Sequence, residues 1–416
     1  GIMISRRKFL KSASLVALAS QWSSCLGNMV FANTANIDGV DWEEVRNQFP
    51  IVKWDKLHLN SGSAGVMPTV VSNHLKELTD VMNQMAPYEA WGSWQDSMQN
   101  TRSRLAQMIN VHTEEIQLVR NTTEALNIII YGLRLAPSDE VLLCEHDYPY
   151  AINAWKNRES RDNLKLQILK FQLPDADDQI LAAYAAAITP RTKVMHVTYM
   201  THRQGQIMPV AKLVQLAKEH DIQVVVDGAH TLAHIPLDIS VLGCDYYATS
   251  LHKWLNAPHG TGLLYVKEER VADLMPHPSS NQPDDTIQKY AHLGTRAYQQ
   301  EVGISTALDF HGLIGQDRKY NRLQELKHYW TGQLLDNSRI KWHTDLSDDK
   351  SCAVATIGIK GMPTSSILKS LDQDHNIHAK SVGGSWGSGV RISPNIFTNF
   401  KDLDYLVSAI TEISKL

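Results

Sequence analysis

Gln223-Val-Val-Val-Asp227-Gly-Ala-His230, followed by Tyr246-Tyr-Ala-Thr-Ser250-Leu-His-Lys253-Trp254, sets the architecture of the chain. Each stretch opens on a short apolar run and ends in polar residues able to do chemistry. Runs that are apolar throughout read as strands covered on both faces. More of this kind stand at Val141–Cys144, Leu166–Leu169, Val194–Val197 and Gly262–Val266, with helical spacing between several of them, as in Ala211–Glu219. The alternation predicts an α/β fold, with a mainly parallel sheet between helices. After about residue 300 the texture changes. A helical stretch runs through Leu323 to Leu335, then come the run Ala353–Ile359, a helix near Ser365–Asp372 and a last helix after Asp402. The expected division is an N-terminal segment 33–65 packing on the small domain, a large domain 66–300 and a smaller α+β domain 301–416.

Composition narrows the function. The chain has 416 residues, 40 basic against 44 acidic, for a net charge of −4. That balance argues against a nucleic-acid partner, which wants a basic face. No run of eighteen apolar residues is present to span a membrane. Four cysteines cannot form a disulfide scaffold. A large enzyme is the class that survives.

The charge is uneven. Arg6, Arg7, Lys8 and Lys11 precede the first acidic residue, Asp38, and a mild apolar stretch Ser12–Ser20 and Val30-Phe-Ala32 follow them. This order of basic, apolar and small residues reads as an export signal over residues 1–32. The twin arginines of Ser5-Arg-Arg-Lys-Phe-Leu-Lys11 resemble a twin-arginine translocation signal, which implies that machinery as a partner and a periplasmic location. Without the leader, 36 basic residues face 44 acidic ones, a net −8. Cys25 is discounted as a lipid-bearing cysteine, because Trp22 stands where an aliphatic residue is wanted.

In open α/β sheets, ligands sit beyond the carboxyl ends of strands. Those ends carry Asp227-Gly-Ala-His230, Ser250-Leu-His-Lys253, Asn121-Thr-Thr-Glu124 and Glu145-His-Asp-Tyr148. Singly each is bland: Asp-Gly is a common turn, Asn-Thr-Thr-Glu a common helix cap, a lone lysine a common surface residue. Together they supply what pyridoxal 5'-phosphate requires. A lysine amine of lowered pKa condenses with the cofactor aldehyde and acts as a base. A carboxylate keeps the pyridine nitrogen protonated, and a hydroxyl-rich helix start holds the phosphate. A metal site is not expected, although there are 18 histidines. His230 and His234 have helical spacing, but Ile235-Pro236 follows directly and no Glu lies between them.

With its continuation Trp254–Val266, the Asp227–His230 and Ser250–Lys253 pair resembles the class V aminotransferases, fold-type I pyridoxal phosphate enzymes, and is similar to their isopenicillin N epimerase-like branch. The likeness runs from about Leu57 to the end. It implies that Lys253 carries the cofactor and Asp227 faces its ring nitrogen. It places His230 near the phenolic oxygen, Ala229 on the ring face, and Thr122, Thr123, Ser250 and His252 at the phosphate. Tyr148 matches the stacking aromatic of kynureninase-like members and His146 the stacking histidine of cysteine desulfurases; Tyr148 is preferred. Arg391 matches the arginine that grips a substrate carboxylate. Asn60 and Ser61 match the glycine-rich loop of the substrate pocket. Thr295 matches a residue reaching the phosphate of a neighbouring subunit, which implies a homodimer. Thr198 and Thr201 are further candidates for contact with cofactor or substrate.

Removal of an α-proton by Lys253 leads to transamination, to epimerisation or to loss of a side-chain group. Transamination of an amino-acid or peptide-borne substrate is placed first, with epimerase and lyase as alternatives. A periplasmic relative with a twin-arginine signal modifies the glutamate side group of the siderophore pyoverdine, so siderophore maturation is a candidate. The stretch Ala379–Gly389 lacks the cysteine of the desulfurases. The rival of another class is a non-catalytic protein of the same fold, against which Lys253, Asp227 and Arg391 stand together.

Overall fold

The computed structural model describes residues 39–416, so the leader expected over residues 1–32 lies outside the described residues. Strand β1 is Leu57–His58, and a seven-stranded sheet follows from β2 (Ile116–Val119), β3 (Glu140–Cys144), β4 (Lys165–Leu169), β5 (Thr192–Thr198), β6 (Gln223–Asp227), β7 (Tyr246–Ser250) and β8 (Gly262–Val266). Its order is β2-β8-β7-β6-β5-β3-β4. Strands β4, β3, β5, β6 and β7 run parallel, and β8 alone runs against both its neighbours. Strands β2, β3, β7 and β8 are buried along their whole length, as apolar runs between helical layers must be. The expected mainly parallel α/β sheet is the observed one.

Beyond the long helices Tyr298–Ile314 and Gln316–Gly332 come β9 (Ile340–Trp342), β10 (Ala355–Ile359), β11 (Ile377–His378), β12 (Lys380–Gly384) and β13 (Gly387–Ile392). Four of them form an antiparallel sheet of order β12-β13-β10-β9. Its separate core includes Trp330, Leu371, Val390 and Leu406. The short β1 pairs in parallel with β11, Leu57 against Ile377, and Asn60 bridges to Ser393. The segment Leu57–Asn60 is thereby stitched to the C-terminal part of the chain, in a two-stranded sheet separate from the four-stranded one. Among the described residues, no helix is long and apolar enough to cross a membrane.

Candidate active site

The carboxyl ends of β6 and β7 face the N-terminus of the helix Thr122–Gly132 across a cavity of about 230 Å³. Asn121 caps that helix, its Oδ1 accepting from the Glu124 N–H at 2.9 Å. The cap aims the helix start at the cavity, where free N–H groups and the dipole favour an anion. Thr122 donates its backbone N–H to Ser250 Oγ at 3.0 Å, and the two hydroxyls lie 2.7 Å apart. Thr123 and His252 line the same end, with His252 Nδ1 held 3.0 Å from the Thr261 carbonyl. Burial pushes the His252 imidazole down to about 4, so it is neutral at ordinary pH.

Asp227 closes β6 and is 2% exposed. Its Oδ1 accepts from the Ala229 N–H at 3.0 Å. Burial pushes its carboxyl above the ordinary value, against that hydrogen bond and the nearby Lys253 charge. A buried carboxylate so sparsely bonded is stabilised by a cation placed against it. Burial also pushes Lys253 down to about 8, with the Arg391 charge helping and Asp227 opposing. Lys253 Nζ lies 3.3 Å from His230 Nε2. Burial and the Lys253 charge push His230 well below its ordinary value. Ala229 lines the cavity between these groups.

The loop bearing Lys253 is fixed by three contacts. Gly65 donates its N–H to the His252 carbonyl at 3.0 Å, so close that a Cβ on Gly65 would meet the Lys253 carbonyl oxygen at 2.0 Å. Asn256 Nδ2 donates to the Val66 carbonyl at 2.9 Å. From the far side, the buried ammonium of Lys319 donates to the Trp254 carbonyl.

Arg391 stands on β13 at 4% exposure. It donates to the His202 carbonyl at 2.6 Å, to Asn60 Oδ1 at 3.1 Å and to Ser63 Oγ at 2.9 Å. Among the described residues its Nε has no partner, and no carboxylate lies within ion-pair distance. Burial lowers it to about 10, so it is still a cation. A buried arginine bound only to neutral groups can take a carboxylate.

Most of the sequence-derived candidates converge here: Thr122, Thr123, Tyr148, Asp227, Ala229, His230, Ser250, His252 and Lys253 all line the cavity. Asn60 and Arg391 are not among the lining residues; Arg391 bonds Asn60 and also Ser63 and the His202 carbonyl, and Ser63 and His202 do line the cavity. Ser61 does not line it; its hydroxyl is buried without a partner, and Ser63 takes the place beside Arg391. His146 turns away, its Nε2 2.6 Å from the Phe171 carbonyl, whereas Tyr148 lines the cavity edge-on to His202, ring centres 5.2 Å apart. Thr198 lines the cavity and donates to Asp147 Oδ1 at 2.8 Å; Thr201 only closes the turn to Gln206. Thr295 is exposed and not part of its own chain's cavity. Sequence reasoning missed His202 and Ser63, and assigned no role to Trp254. His234, weighed as a metal ligand, stacks on Trp254 at 3.7 Å and accepts from the Ala353 N–H at 3.0 Å. Among the described residues, no group of three or more His, Cys, Asp or Glu could hold a metal ion.

The donor set fits pyridoxal phosphate: an amine of lowered pKa, a buried carboxylate wanting a cation, and a hydroxyl-lined helix start. The chain belongs to the family described as aminotransferase class-V, whose model matches residues 57–406. It is a pyridoxal phosphate-dependent enzyme of fold-type I. Among curated proteins it is 27% identical to isopenicillin N epimerase from Streptomyces clavuligerus, over 90% of this chain and 98% of the epimerase. It is 23% identical to a cysteine desulfurase from Synechococcus elongatus, over 96% of this chain and 68% of that protein. Among solved structures it shares its fold with the cystine C–S lyase C-DES in complex with cysteine persulfide, TM-score 0.80 at 22% identity, covering 88% of this chain and 99% of that one.

Proposed function

We propose that the chain transforms amino acids, free or peptide-borne, at Cα, with Lys253 moving the proton and Arg391 holding the carboxylate, and that transamination is the outcome. The observation that carries this is the Lys253 amine: half-buried in the cavity wall, lowered by burial to about 8, with the charges of Asp227 and Arg391 acting on it in opposite directions. Pyridoxal phosphate supplies an electron sink for the charge left at Cα. Asp227 would hold the ring nitrogen cationic, Thr122, Thr123, Ser250 and His252 would bind the phosphate, Tyr148 would pack on the ring, and His230 and Ala229 would complete its seat. The Lys253 amine would take the α-proton and return it to a neighbouring carbon, so that Nζ would serve as both base and acid.

A second reading, epimerisation, is favoured by Tyr148 and His202, further protic side chains lining the cavity. Among the described residues desulfuration finds no nucleophile: Cys144, Cys244 and Cys352 are buried, and burial pushes all three thiols up. The basic leader with Arg6-Arg7 supports export to the periplasm by the twin-arginine machinery. The exposure of Thr295 supports a site shared with a second copy. Peptide-borne glutamate, as in siderophore maturation, is one candidate substrate.

The test is product analysis in deuterium oxide with amino acids and glutamate-bearing peptides. A keto product with cofactor left as its amine is the expected result. Deuterium at Cα without keto product replaces transamination by epimerisation. A purified protein that stays colourless with pyridoxal phosphate, with nothing trapped on Lys253 by borohydride, overturns the whole reading.

A further inference from the structure

The side chain of Asn60 joins the buried Arg391 to a histidine that does not line the cavity, His378. Arg391 Nη2 donates to Asn60 Oδ1 at 3.1 Å. The Ser63 hydroxyl, which itself accepts from Arg391, donates to the same oxygen at 2.8 Å. A guanidinium has no acceptor, so Arg391 dictates which end of the amide faces it. Asn60 Nδ2 must then point the other way, and it lies 3.2 Å from Nε2 of His378. An amide NH2 can only donate, so Nε2 is the unprotonated nitrogen and the neutral His378 ring carries its proton on Nδ1. An imidazolium, with a hydrogen on both nitrogens, sets N–H against N–H at this contact.

The place of His378 is fixed by the fold. Strand β11 pairs with β1 so that His378 stands beside His58, two residues before Asn60. The two rings stack at 5.6 Å with 19° between their planes, and Trp54 packs edge-on to His378 at 5.5 Å. The charged groups around the ring are Lys56 just before β1, Asp372 from the helix Thr364–Gln373 and Lys380 on β12. Lys56 and Asp372 are paired with each other at 2.6 Å. Burial pushes His378 below its ordinary 6.5, with Asp372 opposing and both lysines helping. Burial pushes His58 and His252 to about 4, His202 to about 3 and His230 well below its ordinary value, so these four rings are neutral above about pH 5.

We infer that His378 is a positioning residue of the carboxylate site: its unprotonated Nε2 holds Asn60 with Oδ1 turned to Arg391, and a proton on Nε2 releases the amide. The consequence for substrate rests on the reading of Arg391 as the carboxylate anchor. By linkage, affinity that depends on this orientation is complete above the His378 midpoint and is lost as pH falls through it.

The test titrates the protein loaded with pyridoxal phosphate calorimetrically with propionate, a carboxylate without an amine, between pH 5 and 8. Affinity should fall about threefold to tenfold through the His378 midpoint. His378→Gln keeps an acceptor but does not titrate; it should bind as the parent does at pH 8 and lose the acid fall. His378→Phe keeps a ring against His58 without an acceptor, and should bind more weakly by the same factor at every pH. A parent that binds without the acid fall, a fall that survives His378→Gln, or undiminished binding to His378→Phe overturns the role. Ring NMR with histidine isotope-labelled at Cε1 separates the two levels. The resonance missing from His378→Gln belongs to His378, and its midpoint should rise by about half a unit or more in Asn60→Ala. An unmoved midpoint refutes the contact. If that midpoint moves while the parent binds no propionate, His378 still positions Asn60 and the reading of Arg391 falls.

Discussion

The indole N–H of Trp254 donates to Nδ1 of His230 at 3.3 Å. An indole can only donate, so Nδ1 is the unprotonated nitrogen and the neutral ring carries its proton on Nε2. That N–H faces Lys253 Nζ at 3.3 Å. It can bond a lysine lone pair and is repelled by an ammonium. The contact thus favours the uncharged, nucleophilic amine.

Trp254→Phe removes the constraint on the imidazole. Capture of pyridoxal phosphate by the cofactor-free protein should rise with pH through about 8, as the Lys253 amine loses its proton. In the variant that midpoint should move toward the ordinary lysine value, with capture at pH 7 slowed about tenfold. Stopped-flow absorbance across pH 6–10 reads both; an unmoved midpoint refutes the tautomer argument.

Lys319 gives a pH dependence of stability. Burial lowers it to about 7, from an ordinary 10.5. Between those values the unfolded chain holds a proton that the folded chain has lost, so this group makes stability rise with pH above about 7; below it both states are protonated and the cost of burying the charge is complete. Lys319→Met should lose that slope. The difference between variant and parent, read from urea midpoints at pH 7, 8 and 9, should shrink as pH rises, by on the order of a few kcal/mol in all. A constant difference would mean that Lys319 stays charged in the fold.

Arg391→Lys keeps the charge and loses the fork that reaches the His202 carbonyl, Asn60 and Ser63 together. KM for an amino-acid substrate should rise roughly tenfold to a hundredfold, with kcat falling less. Steady-state kinetics checks it, and a kcat loss at constant KM would move Arg391 out of substrate binding.

Arg6→Lys together with Arg7→Lys should hold the chain in the cytoplasm. Cell fractionation and immunoblotting read the result, and undiminished export would exclude the twin-arginine route.

Sequence and structure agree best where burial is uniform. Gly262–Val266 is apolar throughout and reads residue for residue as β8. Strand β7 runs two residues past its apolar run, to Ser250, because Thr249 and Ser250 end it in hydroxyls used by the site. The β12–β13 hairpin was not legible at all: Gly383, Gly384, Gly387 and Gly389 erase the alternation that marks a strand. At the site, Asp227 and Lys253 stood out because their residue types are uncommon at the ends of buried strands. His202 had no such signal, since it sits in a turn; its place in the cavity wall, beside Tyr148 and with its carbonyl on Arg391, is set by tertiary contacts alone. Tyr148 and His146 are two residues apart, and what separates them is the helix Pro149–Asp162, which begins directly after Tyr148 while His146 turns to Phe171.

The loop of Lys253 is bound by Gly65 and Asn256–Val66 on one side and by Lys319 on the other, and Arg391 follows it on β13, 138 residues further along the chain. During synthesis the seven-stranded sheet leaves the ribosome long before β13 does. A nascent chain stopped near residue 300 would carry Asp227 and Lys253 but neither Lys319 nor Arg391. Its lysine would hang on a half-fastened loop with no carboxylate anchor beside it. Competence for chemistry therefore waits on β13, well after the central sheet is complete.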